Sequence, residues 1–292
     1  MDSNYQQLLD SHALEICVGD FGLTPGINQA TIDLATAGKI NCASVLVDAP
    51  NLTLDYIEDA LRLKHEGKLS LGLHLNFTEL LSSHQDENLI APIHHLLNPL
   101  YRFLFYSKGK RKQLIHQIYQ EIDRQFYLFE ELFDCWPDFI DGHQHVHMLP
   151  LFHQALREFY TEHRLDQNKI WVRSLNRVNK LNKTNLPGAS KLQNLILRYA
   201  TKKARSAVYS LRKELLGVYN YQANAQEFKD LMAFWLSNAR KYHLATGRGA
   251  VIMVHPSVPE EQVPANDLQQ AVPYEDSKAQ ARLIEYQVLA QL

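Results

Sequence analysis

The sequence predicts an α/β fold, because apolar segments of strand length alternate with amphipathic segments of helical length along its 292 residues. The candidate strands are apolar throughout, which indicates a parallel sheet covered on both faces. The chain holds six or more such βα units, with no dividing linker and no internal repeat. We therefore expect a single domain over residues 1–292, and a TIM-like barrel is favoured over an open sheet.

The first unit pairs a short strand with a clearly marked helix. Residues Ala13–Val18 form an apolar run of strand length. Thr24 is a suitable N-cap, and Pro25 suits the first turn of a helix that runs to about Ala37. The sequence therefore predicts one complete βα unit before residue 40.

The later units follow the same pattern. Further strands are predicted at Cys42–Val47, Leu69–Leu75, Phe139–His143, Ile170–Arg173 and Ala250–Val254. Helices are predicted at Thr53–His65, Lys112–Phe133, Pro150–His163, Ser190–Leu216, Glu227–His243 and Ser277–Leu289. We interpret residues 175–245 as a basic helical insertion in the barrel.

Charge is unevenly distributed along the chain. The 30 Lys and Arg residues against 32 Asp and Glu give a formal charge of −2. Twelve of the basic residues lie between Lys169 and Lys213, a stretch without Asp or Glu, so the remainder carries −14. This asymmetry indicates an anionic surface or ligand, and the alternative is a solvated basic face.

Cysteine usage and the absence of targeting signals favour a cytoplasmic protein. Cys17, Cys42 and Cys135 form no CxxC pair, and the first two lie in apolar strand-like runs typical of buried thiols. The N-terminal residues lack a signal-peptide core, and no apolar run is long enough to span a membrane. No nucleic-acid-binding module is recognisable, so we expect no nucleic-acid partner.

Five ionisable residues lie at or just beyond the C-terminal ends of the predicted strands: Asp20, Asp48, His74, His143 and His255. That edge carries the chemistry in α/β barrels and in open sheets. One carboxylate and two imidazoles, from Asp20, His74 and His143, form a ligand set that suits Zn and leaves positions open for water. The sequence therefore predicts a divalent metal site.

A second cluster, Asp141-Gly-His143-Gln-His145-Val-His147, places three histidines at alternate positions. They would share one face if the backbone were extended. We expect one direct ligand among them, with the others serving as partners of the ligands or as packing. Asp141 lies on the same strand face and is expected to orient a ligand imidazole.

Six segments in sequence order carry a family resemblance: Asp20–Gly26, Asn41–Val47, Leu71–His74, Pro137–His147, Trp171–Arg173 and Val254–Pro256. They resemble the YdjC/ChbG/HpnK carbohydrate deacetylase family, and they extend over most of the chain. Residues 85–115 and 175–245 show no such likeness.

The resemblance implies a distorted (β/α) barrel and a metal-dependent hydrolase that removes an N-acetyl group from amino sugars such as chitooligosaccharides. By position, Asp20, His74 and His143 would be the metal ligands, and the resemblance allows Mg as well as Zn. The resemblance makes His255 a candidate general acid or oxyanion partner, and it makes Arg173 a cation that lines the substrate site.

The chain departs from the family at one position. The family usually has Asp-Asp-Phe-Gly, with the first Asp as general base, whereas this chain has Gly19. Asp141 or Asp48 could replace that base, although Asp48 could instead cap the turn at Ala49-Pro50. The alternative function is an impaired member that binds metal or carbohydrate without hydrolysing it.

Two basic segments suggest a peripheral contact with an anionic membrane. Ser190–Leu216 combines apolar residues near helical spacing with cations. Residues 100–106 mix aromatic side chains with Arg102, and they precede Lys108, Lys110 and Lys112. Such segments can lie on an anionic surface, which would suit an anionic or lipid-linked amino sugar. The alternative is that both pack their apolar faces on the barrel.

Overall fold

The chain forms a closed barrel of seven parallel strands in sequential order, as shown by a computed structural model. The structure describes residues 3–90, 106–165, 169–191 and 211–292. The strands are β1 Leu14–Phe21, β2 Cys42–Val45, β3 Ser70–Leu75, β4 Phe139–Gly142, β5 Trp171–Ser174, β6 Leu211–Leu216 and β7 Ala250–Val254. The barrel closes because β7 pairs with β1.

Helices surround the barrel. In the described part of the chain they are α1 Ser3–Asp10, α2 Pro25–Thr36, α3 Leu54–His65, α4 Lys108–Phe133, α5 Pro150–Glu162, α6 Val178–Leu181, α7 Ala225–Thr246, α8 Ala265–Gln270 and α9 Ala279–Ala290. Their apolar sides are buried, as the fully enclosed Phe129 of α4 and Trp235 of α7 illustrate. The predicted α/β barrel of TIM type is therefore confirmed.

The lower part of the barrel interior is filled by aromatic and aliphatic parts of side chains. The Phe139 and Trp171 rings stack with centroids 4.6 Å apart, and the Lys213 ammonium lies 4.7 Å from the centre of the Trp171 ring. Gly72 on β3 faces the Phe139 ring, and a Cβ there would lie 2.3 Å from ring atoms. Glycine is therefore required at this close approach.

A polar layer lies above this packing, at the C-terminal ends of the strands. Strand side chains alternate in direction, so the residues two positions beyond Gly72, Phe139 and Trp171 face the same interior. These residues are His74, Asp141 and Arg173, and each is almost completely buried. The strand pattern thus places the ionisable residues together inside the barrel mouth.

The predicted helix Ser190–Leu216 is wrong at its C-terminal end. Leu211–Leu216 is strand β6, which pairs with β5 and β7. Leu215 and Leu216 are buried there, because closing the barrel requires a strand between those neighbours. Residues 192–210 and 91–105, which hold the rest of the predicted basic helix and the aromatic run, lie outside the described residues.

The cysteines are free thiols, and Cys17 and Cys42 are buried as the sequence predicts. Their side chains lie on neighbouring strands, where Cys17 pairs in register with Cys42. Among the residues that the structure describes, no helix combines the length and apolar character needed to cross a membrane.

Candidate functional site

The site begins with an unusual backbone conformation at the end of β1. Asp20 has a φ of +66°, and the pairing of β1 with β2 shifts register between Val18 and Phe21. Asp is one of the few residues with a side chain that tolerates this left-handed conformation. The irregularity breaks the regular strand alternation at this carboxylate, which is buried at the barrel mouth.

Two imidazoles face the Asp20 carboxylate. Asp20 Oδ1 lies 3.5 Å from His74 Nε2 and 3.6 Å from His143 Nε2. That oxygen is buried and has no hydrogen-bond partner among the described residues. The other oxygen, Oδ2, accepts a hydrogen bond of 2.7 Å from Arg282 Nη2. The structure therefore brings together all three predicted metal ligands.

Each imidazole is held through its other nitrogen. His74 Nδ1 lies 2.5 Å from Asp141 Oδ1 and 2.8 Å from Ser44 Oγ. His143 Nδ1 lies 2.6 Å from Thr78 Oγ1. Contacts of this kind fix the ring orientation of metal-binding histidines. They leave both Nε2 atoms directed towards Asp20.

The electrostatics of the two rings differ. Burial lowers the pKa of His74, but the carboxylates of Asp141 and Asp20 more than offset this and raise it to about 9. Burial lowers the pKa of His143 to about 4, despite the opposing effect of Asp20. Burial favours the neutral form of Asp20, yet Arg282 and His143 hold its pKa well below the usual range. At neutral pH the site thus contains a carboxylate, one imidazolium and one neutral imidazole.

The three side chains are of the types that bind a divalent metal, but their positions do not form a complete coordination site. Two ligands about 2.0–2.1 Å from a tetrahedral zinc would lie roughly 3.4 Å apart, close to the two separations from Asp20 Oδ1. As they stand, however, no three or more His, Cys, Asp or Glu side chains within the described ranges could hold a metal ion. Binding would therefore require small side-chain shifts, together with loss of the His74 proton.

Asp141 and Arg173 form a buried ion pair beneath the histidines. Arg173 Nη1 donates to Asp141 Oδ2 over 2.5 Å, and Nη2 donates to the carbonyl oxygen of Gly142 and to His145 Nδ1. The Arg173 guanidinium and other positive neighbours outweigh burial and hold the pKa of Asp141 well below its usual range. The contact with His74 favours an orienting role for Asp141. Its role as a replacement base and the substrate-binding role of Arg173 stay predictions.

The backbone of the histidine cluster is not extended. Residues His143–Met148 form a 3-10 turn, with Gln144 and His145 in the left-handed region. The condition under which alternate histidines would share one face is therefore not met. His147 Nε2 lies 3.2 Å from the carbonyl oxygen of Arg173 rather than beside Asp20. The turn directs the three rings of the cluster differently, and of these three only His143 faces the Asp20 carboxylate.

Asp48 is engaged by a helix outside the barrel. Its two oxygens accept hydrogen bonds of 2.9 and 2.6 Å from the terminal nitrogens of Arg124 on α4. This bidentate pair ties the loop after β2 to α4, and Arg124 also contacts Glu121. The pairing favours a positioning role for Asp48, and its role as a relocated base stays a prediction.

His255 occupies the space beside Gly19. A Cβ on Gly19 would lie 2.9 Å from His255 Nε2 and 3.0 Å from its Cδ2. The ring is held at Nδ1 by the Tyr221 hydroxyl, 3.2 Å away. Burial, aided by Arg282, lowers the pKa of His255 well below the usual range, so the ring is neutral. The structure therefore places this predicted catalytic residue directly against the atypical glycine.

Sequence reasoning missed several residues that support the site: Ser44, Thr78, Tyr221, Arg282 and Glu285. Arg282 approaches Asp20 from α9, 262 positions later in the chain. Ser44 carries a detectable signal, because it lies on β2 two residues after the interior Cys42. No spacing rule connects the final helix to the first strand, so only the closed barrel reveals Arg282.

A separate cavity of about 420 Å³ lies between the N-terminal parts of α4 and α5. Lys108, Arg111, Lys112 and His116 line it, together with Glu158 and apolar side chains. None of the candidate site residues lines this cavity.

Relatives of the chain are named as deacetylases of carbohydrates. A chitooligosaccharide deacetylase of Proteus mirabilis is 31% identical over 152 residues, covering 51% of this chain and 55% of the relative. A mouse carbohydrate deacetylase is 29% identical over 160 residues, covering 50% and 47%. The human carbohydrate deacetylase is 28% identical over 160 residues, covering 50% and 46%. The matched region thus spans about half the length of these relatives.

The fold is shared with a crystal structure from Enterococcus faecalis V583, provisionally named a cellobiose-phosphate cleavage protein. The TM-score is 0.58 at 18% identity, with 94% of this chain and 89% of that chain covered. The family described as YdjC-like protein matches residues 13–291, from the start of β1, which carries Asp20, to the end of α9. The chain therefore belongs to the YdjC-like protein family.

Proposed function

We propose that the chain is a metal-dependent hydrolase that removes an N-acetyl group from an amino sugar or oligosaccharide. The observation that carries this proposal is the meeting of the unpartnered Asp20 Oδ1 with His74 Nε2 and His143 Nε2 at the barrel mouth. The names of the relatives supply the reaction and the substrate class.

The residues of the site have distinct parts in this proposal. Asp20, His74 and His143 would hold a Zn or Mg ion, which when bound polarises the amide carbonyl and lowers the pKa of water. Asp141 keeps the His74 ring turned towards Asp20, and Arg173 neutralises Asp141. His255 would act as the general acid or as the oxyanion partner at the mouth of the barrel.

Acetate release tests this function. We expect the metal-loaded protein to release acetate from N-acetyl sugars or chitooligosaccharides, to lose activity after chelation and to recover it with Zn or Mg. Asp20→Ala should abolish the activity and the metal content, whereas Asp230→Asn, at an exposed position on α7, should change neither. Activity that survives chelation would refute a metal-dependent reaction, and activity that persists in Asp20→Ala would refute Asp20 as a required ligand.

The second candidate is a binding protein that has lost hydrolysis. Gly19 favours it, because this position provides no carboxylate beside Asp20. Calorimetry separates the two: binding of an N-acetyl sugar by the metal-loaded protein, without acetate release over hours, would establish the binding function.

Contact with an anionic membrane is a separate proposal. Lys108, Lys110 and Lys112 are exposed at the start of α4. In a β/α barrel each helix begins near the C-terminal end of the strand before it, which is the end that holds the candidate site. We expect co-sedimentation with phosphatidylserine vesicles at low salt, and weaker binding after Lys108→Glu and Lys110→Glu. No binding to such vesicles would exclude it.

A further inference from the structure

Two consecutive residues after His143 have a left-handed backbone. Gln144 has a φ of +49° and a ψ of +23°, and His145 has a φ of +63° and a ψ of +24°. This conformation is unfavourable for residues with a Cβ, and it occurs mostly at single positions. Strain of this kind persists where the surrounding structure fixes it, and it is concentrated at active sites and ligand-binding segments. Here the turn brings the His145 ring to Arg173 on β5.

Arg173 fixes the position of the hydrogen on the His145 ring. Its Nη2 lies 2.9 Å from His145 Nδ1. A guanidinium has only donors, so Nδ1 must accept this hydrogen bond and cannot itself carry a hydrogen. A protonated imidazole would have donors at both nitrogens, and the contact would be lost. The ring is therefore neutral, and its single N–H group is at Nε2.

Arg173 is itself held by contacts that keep it away from a substrate. Nη1 donates to Asp141 Oδ2 over 2.5 Å, and Nη2 also donates to the carbonyl oxygen of Gly142 over 3.1 Å. The side chain is 1% exposed. A guanidinium that is buried and ion-paired in this way can orient the His145 ring without touching a bound molecule.

The Nε2–H group of His145 is available to a ligand. His145 is partly exposed, unlike the buried His143 and His147. In the part of the chain that the structure describes, the ring makes its hydrogen bond through Nδ1, and Nε2 is not among the enclosed polar atoms. A donor of fixed polarity at the mouth of the barrel suits an oxygen acceptor on a bound molecule.

His145 lies in a sector of the mouth that the candidate metal ligands leave open. Asp20 is on β1 and His74 is on β3, whereas His143 follows β4 and directs its Nε2 towards Asp20. His145 is held to Arg173 on β5 instead. A donor on this side suits the part of a substrate that the metal does not bind. In an N-acetyl sugar that part is the sugar ring, whose hydroxyl oxygens accept hydrogen bonds.

We propose that His145 binds the sugar of the substrate by donating its Nε2–H to a hydroxyl oxygen, with Arg173 as the positioning residue that fixes the ring. This inference rests on the proposed deacetylase function and adds a substrate-binding residue to it. The part of Arg173 in substrate binding is then indirect. A substrate without an oxygen at this place would leave the donor unpaired and would bind less tightly.

Asparagine at position 145 separates the roles of the two nitrogens. Its Oδ1 can take the place of Nδ1 and accept from Arg173, and Asn tolerates a left-handed backbone. It has no group in the place of Nε2. In His145→Asn we therefore expect KM for the N-acetyl sugar to rise by about 3–10-fold, the effect of one neutral hydrogen bond. The value of kcat, the metal content and the thermal stability should stay close to those of the wild type.

His12→Asn is the matched control. His12 also has a left-handed backbone, with a φ of +52°, but it is exposed and precedes β1 at the opposite end of the barrel. This substitution should leave KM unchanged. An unchanged KM in His145→Asn as well would overturn the inference, because a purely structural His145 needs only the acceptor that Asn retains.

Deoxy sugars identify the oxygen that accepts from Nε2–H. Among monodeoxy analogues of the N-acetyl sugar that is hydrolysed, we expect one with the same KM for the wild type and for His145→Asn, because it lacks that oxygen. The other analogues should keep the difference between the two proteins. If every analogue kept the difference, the donor would not bind a sugar hydroxyl and the inference would be overturned.

The outcomes separate this inference from the proposed function. Wild-type protein that neither releases acetate from N-acetyl sugars nor binds them overturns both. Active wild-type protein whose His145→Asn variant keeps its KM overturns the inference alone. A His145→Asn variant that loses metal or stability together with activity assigns the ring a structural role and likewise overturns it. If the protein binds a sugar without hydrolysing it, the dissociation constant takes the place of KM in the same comparison.

Discussion

Asp141 shows how one buried carboxylate supports the entire site. It accepts hydrogen bonds from Arg173 and Ser44 and lies 2.5 Å from His74 Nδ1, in a fully buried position. A charge in such surroundings is stable only with its partners, so the removal of one partner leaves the other uncompensated. The orientation of His74 and the neutralisation of Arg173 thus depend on the same two oxygens.

Asp141→Asn should therefore weaken both stability and metal binding. We expect the free energy of unfolding to fall by about 3 kcal/mol, because Arg173 is left as an unpaired buried charge. Metal affinity should fall by about 10–100-fold, as for other carboxylates that orient a metal-binding histidine. Urea denaturation and metal titration measure the two effects. Unchanged metal affinity would contradict the orienting role of Asp141.

Glu285 predicts a pH dependence of stability. Burial raises its pKa to about 7, although contacts with Tyr219, the His255 N–H, Arg282 and Lys278 oppose this. A raised pKa in the folded state gives stability that is present below the unfolded value and is lost as pH rises through 7. Relative to Glu285→Gln, the wild-type protein should lose about 3 kcal/mol between pH 4.5 and 7. If the free energy of unfolding changed with pH in the same way for both proteins, this prediction would be contradicted.

At the scale of elements, the Asp48–Arg124 pair connects the loop after β2 to α4. Asp48→Asn should lower the free energy of unfolding by about 2 kcal/mol, between the values for exposed and buried ion pairs. Acetate release should stay within a few-fold of the wild-type rate. Arg124→Met should have the same effect on stability, since it breaks the same pair. A loss of kcat on the order of 10²-fold in Asp48→Asn alone would instead support a relocated base.

The packing between strands gives a second expectation at this scale. Gly72→Ala on β3 should lower the free energy of unfolding by about 1–3 kcal/mol, because its Cβ would overlap the Phe139 ring. Gly109→Ala, on the exposed face of α4, should raise it by about 0.5–1 kcal/mol. Thermal denaturation of the two variants compares them directly. If both variants changed the free energy of unfolding equally, the Phe139–Trp171 stack would accommodate the added Cβ without loss of stability.

At the scale of the whole molecule, the candidate site links the first strand to the last helix. Asp20 lies on β1, His74 on β3, His143 after β4 and Arg282 on α9. A ligand that binds only the closed barrel stabilises all of these elements together. At a zinc concentration 100 times its dissociation constant we expect a gain of about 2.7 kcal/mol, measured by thermal denaturation. Asp20→Ala should abolish the gain, and an equal gain in that variant would place the zinc elsewhere.

Much of the fold follows from local patterns. The strand Ala250–Val254 is confirmed with the same bounds, and the Thr24-Pro25 start of α2 is confirmed as an N-cap and first turn. Helical spacing was misleading at Leu211–Leu216, because Leu215 and Leu216 are buried there on a strand. A local pattern cannot distinguish a helix from a strand in this segment, because pairing with β5 and β7 determines that it is a strand.

The sequence by itself determined the barrel and the strand ends at which Asp20, His74 and His143 lie, because hydrophobic periodicity and strand polarity are local properties. Only the tertiary structure decided their partners. Arg282 reaches Asp20, Arg124 engages Asp48, and His255 lies against Gly19 because closure of the barrel joins its first and last segments. Side-chain contacts between distant segments depend on that closure, and no spacing in the chain encodes them.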